Sequence, residues 1–192
     1  MRTHARLVLL LLLAGCASAP ADPPRSWLDE RTAVSVTAQG TPIVFAREEH
    51  LRAINVRDYA EIGAVEINRM GDRRLYLALQ SWSTIDRTAA ERERMDRSLS
   101  RVTVYADDRP IELTQAAASA EQLGLSRRPF VAPTPGTREI YFTIARSDLR
   151  SIALARVLQL RGLGAEEPDI YLQWQDARPS LAAFLAQLPA PR

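Results

Sequence analysis

The sequence predicts a mainly β domain, a β-sandwich of about eight or nine strands with short helices, one of them at the C-terminus. Three observations lead there. Apolar residues recur with period two through most of the chain, turn-forming residues separate the runs, and no regular helices interleave with them as a parallel βαβ sheet would require.

From Thr32 onward the alternation is plain. Val34 and Val36 form one strand, Ile43 and Phe45 follow the Gly40-Thr41-Pro42 break, and Val65 and Ile67 mark a third. Asn68-Arg69-Met70-Gly71-Asp72 supplies turn chemistry. Beyond it Leu75, Leu77 and Leu79 oppose Tyr76, Ala78 and Trp82, and apolar residues on both faces predict a central strand. Val102 and Val104 pair through Asp107-Asp108-Arg109-Pro110 with Ile111 and Leu113, a hairpin. A long loop-like stretch with one helical turn runs from Gln115 to Gly136. Ile140, Phe142 and Ile144 then alternate, Ser147-Asp148 offers a helix cap, and strands follow at Val157 to Leu160 and Ile170 to Trp174. Trp82 and Trp174, each among alternating apolar neighbours, are expected inside.

Two helices are predicted by spacing. Thr88 followed by Glu91 fits a capping box, and Glu93 with Arg97 is a favourable i, i+4 pair, so residues 88 to 97 read as an exposed helix. Pro179 suits a first helical turn, after which Leu181, Phe184, Leu185 and Leu188 build one apolar stripe. So short a helix is marginal alone. The stripe is therefore expected to dock on the domain, with Phe184 as anchor.

The order strand, short helical turn, strand across Ile140 to Leu160 is similar to the crossover between sheets in immunoglobulin-like domains, so the sandwich is read as immunoglobulin-like. A closed barrel is the alternative. The usual cysteine pair of that fold is absent, since Cys16 is the only cysteine.

The N-terminus carries an address. Arg2 and Arg6 precede an uninterrupted apolar run from Leu7 to Leu13, the layout of an export signal, and the run is too short to span a bilayer. Leu13-Ala14-Gly15-Cys16 resembles the bacterial lipobox. That resemblance implies cleavage between Gly15 and Cys16, a diacylglyceryl thioether on Cys16 and a third, palmitate-like chain on its amine. Two chains already give stable anchoring. Ala17 and Ser18, rather than Asp, imply by the enteric sorting rule an outer-membrane anchor facing the periplasm, with the inner membrane as the alternative. The organisation expected is a signal peptide over 1–15, an acylated cysteine with a proline-containing tether over 16–26, and one β-rich domain over 27–192. The mature region resembles uncharacterised proteobacterial lipoproteins, a likeness that carries no activity with it.

Composition narrows the chemistry. The chain has 25 basic and 23 acidic residues. Removing Arg2 and Arg6 leaves the mature domain formally neutral, which argues against a nucleic-acid partner. Once Cys16 is acylated no thiol is left for a disulfide, a metal site or a nucleophile. His50 is then the only histidine, no Gly-x-Ser-x-Gly elbow exists, and Glu48-Glu49-His50 lacks the paired histidines of a helical zinc site. No glycine-rich phosphate loop appears. The reading is therefore no enzyme, no cofactor, no metal and no catalytic residue.

The candidate contact surface is the turn carrying Arg69, Arg73 and Arg74, because clustered Arg beside Trp82 is interface chemistry; paired Arg in an ordinary hairpin is the alternative. The expected function is a membrane-anchored noncatalytic interaction or structural module of the cell envelope, in the sharper form part of a secretion or transport assembly. Its partners are the membrane, through Cys16, and an envelope protein. A carrier or sensor of an apolar ligand and, further off, a hydrolase are the competing classes.

Overall fold

The computed structural model describes residues 22–48, 56–163 and 167–190. Ten strands run in the order β1 (Arg25–Asp29), β2 (Val34–Ala38), β3 (Ile43–Glu48), β4 (Arg57–Arg69), β5 (Asp72–Ser83), β6 (Val102–Ala106), β7 (Arg109–Ala117), β8 (Arg138–Thr143), β9 (Leu158–Gly162) and β10 (Asp169–Gln175). Three helices accompany them: α1 (Ala89–Leu99) after β5, α2 (Arg146–Leu154) after β8, and α3 (Arg178–Gln187) after β10. A single 3₁₀ turn, Glu121–Leu123, lies in the β7–β8 connection.

The sheet is a barrel, not a sandwich. Hydrogen bonding runs β4-β3-β10-β9-β6-β7-β8-β5 and closes because β5 also pairs with β4, every contact antiparallel. Eight strands thus share one ring with no free edge. The immunoglobulin-like expectation fails because period-two alternation looks the same on the inner face of a sandwich and inside a barrel. Closure depends on which strands pair, and on the length of β4 and β5, with 13 and 12 residues, which lets them coil around the axis. The strand-helix-strand segment over Ile140 to Leu160 crosses the barrel's end from β8 to β9, passing β6 and β7.

Phe45, Ile62, Leu77, Leu79, Val104, Phe142 and Leu160 fill the interior. One end is closed by α2 and α3. Leu181, Phe184, Leu185 and Leu188 are all buried there with Leu149 and Ile152, so the C-terminal stripe docks internally as its spacing predicts. Helix α2 begins at Arg146 with Ala145 in the cap position, so Ser147 and Asp148 lie inside its first turn instead of capping it. Helix α1 has the expected capping box, Glu91 Oε2 accepting from the Thr88 amide at 2.8 Å, and the Glu93–Arg97 pair at 2.7 Å.

Strand β4 has two neighbours on one edge. Residues 57–62 pair with β3, and residues 65–68 with β2. Where the two part, the Gln39 side-chain oxygen accepts from the Ala64 amide at 3.1 Å and the Gln39 backbone amide donates to Ala64 O at 2.9 Å, so both backbone groups of Ala64 are paired at the fork. Gly40 next to it is required by crowding, since a Cβ there would lie 2.3 Å from Asp22 O. The β4–β5 turn has φ +49° at Met70 and +96° at Gly71, the two positive values that a tight hairpin of this twist needs. Among the described residues Asp22 already makes contacts, and β1 starts at Arg25, within the stretch read from sequence as tether.

Candidate contact surface

The barrel's far end is polar inside, and this decides which way β10 faces. Asp58 of β4 accepts from Arg47 at 2.9 Å and from Arg87 at 2.7 Å, and Arg47 also pairs with Asp169 at the start of β10. Tyr171 is fully buried beside them, under the Arg47 guanidinium, and burial pushes its phenol pKa up. Paired in this way, the charges tolerate burial. With Asp169 and Tyr171 turned inward, alternation along β10 turns Ile170, Leu172 and Trp174 outward.

Among the described residues nothing is laid over that outward set. Leu172 is 60% exposed and Trp174 56%. Trp174 meets the edge of the Tyr59 ring at 6.2 Å, Tyr59 stacks on Trp82 at 5.3 Å, and the Arg57 guanidinium lies 4.9 Å from the centre of the Trp174 ring. The small outward residues of β3, Val44 and Ala46, let Tyr59 reach across to β10. Three aromatic rings and an arginine thus form one strip over β5, β4, β3 and β10. The expectation that Trp82 and Trp174 lie inside is corrected here: Trp82 is half-buried by stacking and Trp174 is on the surface.

On β9 the neighbouring outward residues are polar: Gln159 lies opposite Leu172 and Arg161 opposite Ile170, while Val157, just before the strand, is exposed. Of the ten exposed large apolar side chains among the described residues, Ile170, Leu172 and Trp174 share the outer face of β10. A cleft of about 410 Å³ between Trp82–Arg87 and Thr134–Gly136 borders one side. Another of about 330 Å³, lined by Tyr105, Arg161 and Pro168, borders the other, with Arg161 4.1 Å from the Tyr105 ring centre.

The other half of the same outer surface is covered. Val65, Ile67, Tyr76, Ala78 and Tyr141 point outward into a second core, over which the β7–β8 connection lays Ala120, Leu123, Leu125 and Phe130. The cover is fastened at several points. Ser126 donates to Asp29 through its amide at 2.6 Å and its hydroxyl at 2.8 Å, bonds that hold the Asp29 carboxyl below its ordinary pKa, and Arg25 donates to Pro129 O at 3.1 Å. Phe130 fills the notch left by Gly63, where a Cβ would come within 2.3 Å of the ring.

At the border between the two halves lies a buried polar row. Glu61, Gln80 and Glu139 are adjacent across β4, β5 and β8. In one amide orientation Gln80 donates to Phe130 O at 3.3 Å and Glu139 Oε1 at 3.4 Å; in the other it donates to Val131 O at 3.2 Å and Glu61 Oε1 at 3.0 Å. Burial raises the Glu61 pKa to about 7, and burial raises that of Glu139 as well. Both acids lie under the cover, which makes them part of its seat.

The residues singled out by sequence fall elsewhere. Gly15, Cys16 and His50 lie outside the described residues. Arg69, Arg73 and Arg74 sit at the β4–β5 turn and each has an intramolecular partner: Arg69 donates to Leu123 O, Arg73 pairs with Glu66 at 3.5 Å and Arg74 with Asp72 at 3.0 Å. The structure therefore brings these arginines to the cover and the adjoining turn rather than to the aromatic strip. Among the described residues no three His, Cys, Asp or Glu side chains group as a metal site. The strip itself offers apolar area, ring faces and guanidinium groups, which is chemistry for binding. Comparison of the chain with protein-family models, with curated proteins and with solved structures gives no match.

Proposed function

We propose that this protein is a membrane-anchored, noncatalytic interaction module of the bacterial cell envelope, held by lipid on Cys16 on the periplasmic side of the outer membrane. The observation that carries the reading is the apolar outer face of β10 and the aromatic strip beside it, with Leu172 and Trp174 at its centre. Aromatic residues and Arg are the side chains that anchor interfaces. A barrel whose interior is filled by its own side chains also favours contact at the surface over carriage of an apolar ligand within.

The test is photo-crosslinking in intact cells from a benzophenone side chain placed at position 172, with position 77, inside the barrel, as the control. Adducts to envelope components from 172 and none from 77 are expected. A protein that crosslinks to nothing from 172 contradicts the reading. The anchor is tested separately by Cys16→Ser, which should move the chain out of the membrane fraction.

A further inference from the structure

We infer that the outer face of β10 lies against the phospholipid surface to which the chain is anchored, so that the domain rests on the membrane on this side. The inference rests on the anchored reading above. It follows from where the tether joins the barrel. Asp22 is fixed by two contacts, its carbonyl accepting from Ser180 Oγ at 3.2 Å and its carboxylate from Thr41 Oγ1 at 2.6 Å. Ser180 is in the first turn of α3, which follows β10 directly, and Thr41 leads into β3, whose Val44 pairs with Gln175 at the end of β10. The tether therefore leaves the barrel at the seam between β3 and β10, at the end of the strand that presents Trp174.

Six residue steps separate Cys16 from Asp22, a span of at most about 22 Å even if fully extended. That is shorter than the ~30 Å hydrocarbon core of a bilayer. A domain held so closely has one side near the lipid headgroups, and the β3–β10 seam is that side.

The chemistry of the face agrees. Trp and Tyr have an apolar body with a polar tip and concentrate at membrane interfaces, and Arg stems lie along apolar surface while their charged ends meet headgroups. Here Ile170, Leu172 and Trp174 supply apolar contact, with Arg57 against Trp174 and Arg161 beside Ile170. An interfacial element of this kind inserts about 5–10 Å into the headgroup and acyl boundary. No helix of the described residues is long and apolar enough to cross a membrane.

The experiment uses the full-length acylated protein in vesicles of phosphatidylethanolamine and phosphatidylglycerol, with and without bromine on the acyl chains. Trp174 emission is taken as the part lost on Trp174→Phe. It should fall about twofold in brominated vesicles, as expected for a ring at interfacial depth. The Ile170→Asp/Leu172→Asp variant, with unchanged circular dichroism, should float with the vesicles but recover that emission. Flotation with no quenching of Trp174 overturns the inference and leaves the anchor standing. A Trp174 shielded equally in detergent, with twice the expected mass, also overturns it, because a second copy then covers the face. Failure to float removes the anchor and the inference with it.

Discussion

The outer surface of β4 and β5 has two halves with opposite fates. At one end Val65, Ile67, Tyr76 and Ala78 point outward and are buried under the β7–β8 connection; at the other Tyr59 and Trp82 point outward on the same strands and join an exposed strip. The residue types are alike. The difference is the chain segment laid over one half and stopped at Gly63 and Phe130. Apolar character pointing out of a barrel is thus core where the protein supplies its own cover and contact surface where it does not.

The comparison breaks most readily at Phe130. This ring is 4% exposed and is seated against Gly63, where a Cβ would clash with it. Phe130→Ala should destabilise the domain by about 3–5 kcal/mol, the usual cost of emptying an aromatic site. Chemical denaturation measures it, and hydrogen exchange should show the amides around Leu123 and Leu125 losing protection first. A loss under about 1 kcal/mol would mean that the cover is not seated by this ring.

Glu61, at the border, sharpens the distinction through pH. Its folded pKa of about 7 stands above the ordinary 4.5. Between those values the folded state holds a proton that the unfolded chain has released, so stability falls as pH rises through that window and levels off above about 7. At 1.36 kcal/mol per unit the fall is on the order of 3 kcal/mol. Glu61→Gln should flatten it, leaving the variant more stable than the parent at pH 8 and little changed at pH 4. Parallel pH profiles for the two proteins would show that Glu61 is not buried as a neutral acid.

The sequence makes much of the fold legible. Strand alternation, the capping box of α1 and the docking of α3 each depend on local spacing, and each appears as the spacing predicts. Closure was not legible, because it is set by which strands pair over long separations. Strand β10 shows the second limit. Period two separates Ile170, Leu172 and Trp174 from Asp169, Tyr171 and Gln173, and hydropathy assigns the first set to the core. The barrel reverses this because its polar end needs Asp169 beside Arg47 and Asp58. Alternation defines two faces; only the partners across the barrel decide which one is inside. The Arg69, Arg73 and Arg74 cluster stood out by density for a different reason, since those side chains hold the turn and the cover.

The most direct test of the account is the stability of the Leu172→Ser/Trp174→Ser variant, measured by urea unfolding at equal protein concentration. If these side chains belong to an uncovered face, the change should stay within about 1 kcal/mol, the scale of an exposed site together with one ring-edge contact and one arginine contact. A loss of more than about 3 kcal/mol, the size expected for tryptophan removed from a core, would show that the fold itself covers this face and would contradict its assignment as a contact surface.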